Sequence, residues 1–183
     1  MERNLISLFL KRRSIRKFRN KKIEEDKVKK LIQAALLPPS SHGKYPCFHI
    51  IVDDKNLLSR LSMSKMHGSS FLKDASLGII VAANKKQSDA WVEDASIVST
   101  YIMLTAEEMG LGSCWIQIRN REHSKSKTAE EFIRENLDIP KNIGILAIIA
   151  LGYPDQIKNP AELENLLYHR ISHNYFEKKY PLK

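Results

Sequence analysis

The chain has 183 residues, 43% of them hydrophobic and 28% charged, with a formal net charge of +9. That balance suits one globular domain with a real core and excludes a low-complexity or disordered chain. No apolar run approaches the roughly 18 residues of a membrane span, and residues 5–10 are too short and wrongly flanked for a secretory signal, so a cytoplasmic protein with no membrane partner is expected.

In chain order the first feature is basic. Residues 1–30 hold twelve Lys or Arg against four Asp or Glu, giving +8, and the other 153 hold eighteen against seventeen, giving +1. The excess centres on Arg12-Arg13-Ser14-Ile15-Arg16, three guanidinium groups and a hydroxyl within five residues. Arginine offers planar, forked donors that match phosphate oxygens in pairs, and the Ser14 hydroxyl with nearby amides can fill the remaining acceptor sites. The plainer reading of such a run is a solvated surface. A zone this local fits one small anionic ligand as well as it fits a polymer. A nucleic-acid surface would normally carry a reading helix, zinc knuckle or stacking platform, and none of those signatures occurs.

From Glu24, the residues Val28, Leu31, Ile32, Ala35 and Leu36 recur at helical spacing. Glu24, Glu25 and Asp26 stand at the positive end and Pro38-Pro39 stops the pattern, which predicts an amphipathic helix. A strand is expected over 48–52, a surface helix over 55–66 and a buried strand over 77–83. Residues 91–109 carry the longest helix pattern. Its apolar positions, among them Trp91, Val92, Ala95, Ile97, Val98, Tyr101, Ile102, Leu104, Ala106 and Met109, go nearly all the way round, which points to a subunit interface in a chain this small. Gly110-Leu111-Gly112 ends that helix. A strand over 113–118, a helix over 128–136 and a buried strand over 143–151 follow, the last closed by Gly152-Tyr153-Pro154. The tail over 168–183 carries Tyr175, Phe176 and Tyr180 among charges. No repeat or linker divides the chain, so one domain over 1–183 is expected, with helices on both faces of a sheet.

Six segments taken together resemble the nitroreductase family of FMN-dependent oxidoreductases: residues 12–16, the Pro39-Ser40-Ser41 loop, residues 71–75, residues 91–94, Gly110-Leu111-Gly112-Ser113-Cys114-Trp115, and Leu151-Gly152-Tyr153-Pro154. The resemblance spans nearly the whole chain. It implies an α+β fold, a three-layer α/β/α sandwich with a mixed, mainly antiparallel sheet, built as a homodimer with two FMN sites at the subunit interface. By the same resemblance Arg12, Arg13 and Ser14 would hold the FMN phosphate and ribitol end, and Arg16 the pyrimidine edge of the ring. Pro39, Ser40 and Ser41 would come from the partner subunit, backbone groups around Trp115, Ile116 and Gln117 would face the ring, and Lys158 would add a phosphate contact. The chain departs from the family at Gly43, Tyr45 and Cys47, where many members carry Asn, Gln and Trp. Lys44 could stand in there as a cation near the ring. The tail would pack on the partner subunit.

Residue types agree with that chemistry. A flavin carries the redox step itself, so the protein must supply binding, orientation and electrostatics rather than a catalytic triad. A fixed cation such as Arg16 or Lys44 would suit the negative charge of a reduced ring. The expected activity is hydride transfer from NADH or NADPH, then reduction of a nitroaromatic, quinone or related conjugated acceptor in a ping-pong cycle. Alternatives are a relative specialised for flavin reduction or dehalogenation, and a nonenzymatic nucleic-acid- or anion-binding protein. Gly110 and Gly112 follow a helix and lack the third glycine of a dinucleotide fingerprint, and no P-loop or GxSxG elbow occurs. His169, His173 and Glu177 recur every four residues but lie in a polar tail, so no metal is expected. His67 reads as an exposed loop histidine, and Glu93 and Asp94 as charges favoured at a helix start.

Overall fold

A computed structural model of the chain describes residues 4–181. The frame is a four-stranded sheet in the order β1-β2-β6-β3, formed by β1 (Cys47–Val52), β2 (Leu77–Asn84), β6 (Ile143–Gly152) and β3 (Gly112–Gln117). Every ladder in it is antiparallel. The parallel component is one isolated bridge between Ser14 and Ser113. A small hairpin, β4 (Glu122–Ser124) with β5 (Lys127–Thr128), follows the edge strand and has no counterpart among the sequence expectations.

Helices cover both faces. On one side α2 (Glu25–Leu36) and α4 (Trp91–Glu108) pack Leu31, Ala35, Ala95, Val98, Ile102 and Ala106 against Ile79, Val81 and Ile149. On the other, α3 (Lys55–Leu61) and α5 (Ala129–Asn136) bury Leu58, Leu61 and Ile133 against Ile80, Ile116 and Ile148. Covering both faces explains why β2 and β6 read as unbroken apolar runs rather than alternating ones. The register shifts between Val81 and Ala82, and the extra residue on β6, Leu146, gives its carbonyl to Ile118 and Arg119, which ends β3. The sandwich is thus three layers, α/β/α.

Local chemistry explains the element ends. Thr128 and Glu131 form a reciprocal capping box at the start of α5. The Asp54 side chain caps α3, which stops at Leu61 because the Ser62 hydroxyl turns back to the Ser59 carbonyl; residues 62–66 lie outside the helix. The short α1 (Leu5–Lys11) starts at the Asn4 side-chain cap and leaves Leu5, Ile6 and Phe9 exposed. Among the described residues, no helix is long and apolar enough to cross a membrane.

Candidate functional site

The basic segment is extended and fastened to the ends of two strands. The Ile15 N–H donates to the Ser113 carbonyl at 2.9 Å, Arg19 N–H to the Tyr153 carbonyl at 2.9 Å, and Asp155 N–H to the Lys17 carbonyl at 2.9 Å. Glycine permits this closeness. A Cβ on Gly112 would lie 2.7 Å from the Ile15 side chain, and one on Gly152 would lie 2.9 Å from Phe18, so GLGS and LGYP provide the hollows into which Ile15 and Phe18 pack.

The bond from Ile15 also fixes how β3 faces. Ser113 turns its carbonyl away from β6, so by antiparallel alternation Gly112, Cys114 and Ile116 bond to β6 while Trp115 and Gln117 present their N–H groups to the open edge. The Ile116 side chain is buried in the core. Trp115 Nε1 donates to Gln117 Oε1 at 2.8 Å, and Gln117 Nε2 donates to the Arg119 carbonyl at 3.0 Å, which steadies this edge.

Cations gather around Cys114. Burial raises its thiol pKa, and Arg16, the Ser14 hydroxyl, Lys158 and Arg12 all pull the other way. Those four residues, separated by up to 146 positions in sequence, therefore share one neighbourhood. Arg16 stands over the Phe71 ring at 5.7 Å, and Arg13 Nη1 donates to the Asn159 carbonyl at 2.8 Å. Lys65 reaches the same zone: burial and nearby Arg121 push its amine below the ordinary value, with Cys114 acting the other way. Among the described residues none of Arg12, Arg13, Arg16, Lys65 and Lys158 forms an ion pair with an acid. Forked donors, a hydroxyl and open-edge N–H groups, with Glu107 the carboxyl that acts on Arg12 from α4, suit the phosphate and the polar ring edge of a flavin nucleotide. Lys65 carried no signal in the sequence, since a single lysine in a serine-rich stretch reads as surface.

The loop after α2 lies elsewhere. Ser40 Oγ donates to Asp94 Oδ2 at 2.9 Å, Ser41 N–H to Asp94 Oδ1 at 2.9 Å, and Tyr45 N–H to Ser40 Oγ at 2.9 Å. Asp94 is only 3% exposed, so it is a buried anchor for this loop as well as a charge at the start of α4. Pro39 and Lys44 are exposed. The basic cluster lies toward the other end of α4, where burial raises the Glu107 pKa and Arg12 and Lys11 oppose it. Asp94 and Glu107 are thirteen positions apart, about 20 Å along a helix at ~1.5 Å per residue. A single chain keeps the two groups of residues apart.

Among the described residues no group of three or more His, Cys, Asp or Glu side chains is placed to hold a metal ion. His169 lies in a 3-10 turn, while His173 and Glu177 lie in a turn closed by the Ser172–Lys179 bridge, with His173 edge-on to Tyr180. His67 is exposed. Cys47 and Cys114 are free, the first half-buried and the second buried.

The nitroreductase family model matches residues 9–67 and 59–153. A protein of Archaeoglobus fulgidus provisionally named an NADH dehydrogenase/NAD(P)H nitroreductase is 33% identical over 164 residues, covering 87% of this chain and 91% of its own. An NADPH-dependent oxidoreductase of Staphylococcus aureus is 24% identical, covering 95% and 74%. The structure of an FMN-dependent nitroreductase from Clostridium difficile superposes with a TM-score of 0.92 at 44% identity, over 93% of this chain and 99% of that one. With a family model matched over residues 9–153 and relatives 33% and 44% identical over about nine-tenths of its length, the chain belongs to the nitroreductase family.

Proposed function

We propose that this NAD(P)H oxidoreductase works as a homodimer with an FMN at each of two sites between the subunits, takes hydride from NADH or NADPH, and delivers it to a nitroaromatic, quinone or related conjugated acceptor in a ping-pong cycle. The observation that carries the reading is the convergence of Arg12, Ser14, Arg16 and Lys158 beside the open edge of β3. FMN, when bound, supplies the two-electron chemistry.

The chain supplies the rest. Arg12, Arg13 and Ser14 hold the phosphate and ribitol end, and Lys158 adds a phosphate contact. Arg16 is held by Phe71 at the pyrimidine edge, where a fixed cation stabilises negative charge. The N–H groups of Trp115 and Gln117 donate toward the ring from positions that depend on no rotamer, and Ile116 ties that strand to the core. Pro39, Ser40 and Ser41 come from the other subunit, with Lys44 beside them.

The second copy follows from reach. An isologous pair lays the start of one α4 beside the end of the other, closing both 20 Å gaps at about one stroke. Exposed apolar groups support it: Ile97 and Tyr101 on α4, Leu5, Ile6 and Phe9 on α1, and Leu167, Ile171 and Phe176 in the tail. The tail over 168–183, whose last two residues lie outside the described ones, packs on the partner. Neither nucleic acid nor membrane enters this cytoplasmic cycle. Purified protein should be yellow, release equimolar FMN on denaturation, and bleach under anaerobic NADPH. Colourless protein that takes up no added FMN but binds DNA with a steep salt slope would favour the anion-binding alternative.

A further inference from the structure

Two cations to which the proposed cycle gives no role are held together by a clasp. The turn over 62–69, which follows α3, is pinned to the β4–β5 hairpin at two points. Met66 N–H donates to the Glu122 carbonyl at 3.3 Å, and His123 Nδ1 donates to the Met63 carbonyl at 2.8 Å. The His123 ring in turn stacks on Phe132 of α5, with centroids 4.2 Å apart. Lys65 stands between the two pinned residues of the turn, and Arg121 immediately precedes Glu122. The clasp therefore brings together two side chains more than fifty positions apart.

Lys65 is half-buried and Arg121 is exposed. The turn wraps back to the amine at Gly68, which sits at φ 82° and where a Cβ would lie 3.7 Å from Lys65 Nζ. Among the described residues neither cation is within ion-pair distance of an acid, the adjacent Glu122 included, and the Arg121 guanidinium makes one long contact, to the Asn120 carbonyl at 3.5 Å. Like charges brought together with no acid between them cost free energy, and the Lys65 amine shows it: burial first, then Arg121, push it below its ordinary value. A phosphate bound between them reverses the sign, since the same two charges become two charge-assisted contacts.

The FMN phosphate is not that anion. Its proposed contacts Arg12, Arg13 and Ser14 precede Ile15, which is bonded to the Ser113 end of β3, whereas Arg121 follows the other end, with its N–H on the Ile118 carbonyl. Five residues of extended chain, about 17 Å at ~3.3 Å per residue, separate Ser113 from Ile118. FMN has one phosphate and cannot occupy both ends. The other reactant that always carries phosphate is the nicotinamide donor, whose nicotinamide must lie on the ring and whose remaining length must run past an edge of it.

We infer that Lys65 and Arg121 form a second anion subsite, which takes a phosphate of the nicotinamide donor as it lies on the flavin. The inference rests on the proposed function, since it requires FMN along the edge of β3. Two phosphates qualify: the pyrophosphate that NADH and NADPH share, and the 2′-phosphate that NADPH alone carries.

The test uses FMN-loaded protein without oxygen. Flavin bleaching in a stopped-flow instrument, followed against the concentration of NADPH and then of NADH, gives a dissociation constant and a limiting rate for each donor. Lys65→Gln and Arg121→Gln should each raise the NADPH dissociation constant about five- to tenfold, the limiting rate in Arg121→Gln should hold, and Lys65→Arg should restore most of the loss. Calorimetric titration with adenosine 2′,5′-bisphosphate and with ADP-ribose, neither of which reduces flavin, separates the two sources. An effect confined to NADPH and the bisphosphate assigns the 2′-phosphate, and an equal effect on both donors and on ADP-ribose assigns the pyrophosphate. Unchanged dissociation constants for both donors overturn the inference, as does an equal fall in FMN affinity, which would make the pair part of the flavin's own site. Should Lys65→Gln fail to fold, Arg121→Gln, on an exposed side chain, decides by the same criteria. Wild-type protein that takes up no FMN defeats the parent proposal, whereas variants that bleach as wild type does defeat only the subsite.

Discussion

Two stretches of irregular chain lie close together, the basic segment over 12–18 and the tail beyond Gln156, and they are held in opposite ways. The basic segment is bonded to Ser113, Tyr153 and Asp155 and buries Ile15 and Phe18. The tail is tied back near its start, where Ala161 N–H donates to the Leu10 carbonyl at 2.8 Å and the Asn159 carbonyl accepts from Arg13, although Ile157 is 98% exposed; further on it bonds to itself and leaves Phe176 88% exposed. One chain can therefore complete the proposed phosphate cradle by itself, whereas the tail leaves apolar groups exposed that the proposed partner subunit would cover. That contrast is the physical basis for assigning the cradle to one subunit and the remaining contacts to its partner.

The largest effect expected of breaking this contrast is on the anchored side. Ile15→Ala removes a buried side chain from its glycine-backed hollow and should destabilise the fold by about 2–4 kcal/mol, visible as a lower Tm and lost FMN. Phe176→Ala should leave the subunit fold intact and weaken only the dimer, as light scattering at micromolar concentration would show; equal loss of Tm in both variants would erase the difference between the segments. Arg12→Ala comes next. It removes a charge-assisted contact of roughly 1.5–3 kcal/mol, so FMN affinity by fluorescence titration should fall about ten- to one-hundredfold while Tm holds. Asp94→Asn keeps the shape of the loop anchor but weakens its bonds by about 1 kcal/mol, and should lower FMN affinity in the same titration by less than Arg12→Ala does.

The smallest effect belongs to the post behind LGYP. The Tyr153 hydroxyl donates to Glu24, and Lys27 donates to that hydroxyl at 2.8 Å. The Tyr153 bond first, then the Glu24 backbone and Lys21, hold the Glu24 carboxyl down from 4.5 to about 2. A depressed carboxyl stabilises the fold above its unfolded value and loses that contribution as pH falls. Thermal melts of Glu24→Gln and wild type should therefore differ above pH 4.5 and converge as pH drops toward 2.

Much of this was legible in the residues, because periodicity reports burial. The helix over 25–36, the runs in β2 and β6 and the all-round apolar α4 each state which faces must be covered. The basic run raises the expectation of a phosphate site, and the GLGS and LGYP segments stand among the motifs that carry the family resemblance. The sequence marks Asp94 as a charge at a helix start, since nothing local shows that Ser40 and Ser41 fold onto it from more than fifty positions away. The pairing of Lys65 with Arg121 is hidden for the same reason, as it arises from packing between distant elements. The β4–β5 hairpin is too short and polar to announce itself by alternation.

The central claim, that each site takes its basic segment from one subunit and its Pro39-Ser40-Ser41 arm from the other, is tested most directly by mixing two defective proteins. Arg12→Ala/Arg16→Ala spoils the cradle and Ser41→Trp blocks the arm, so each homodimer alone should be nearly inactive. After subunit exchange, half of the dimers are mixed and each mixed dimer regains one sound site, so NADPH-dependent nitrobenzene reduction should recover to about one quarter of wild type. A mixture no more active than the sum of its two components would show that both halves belong to a single chain.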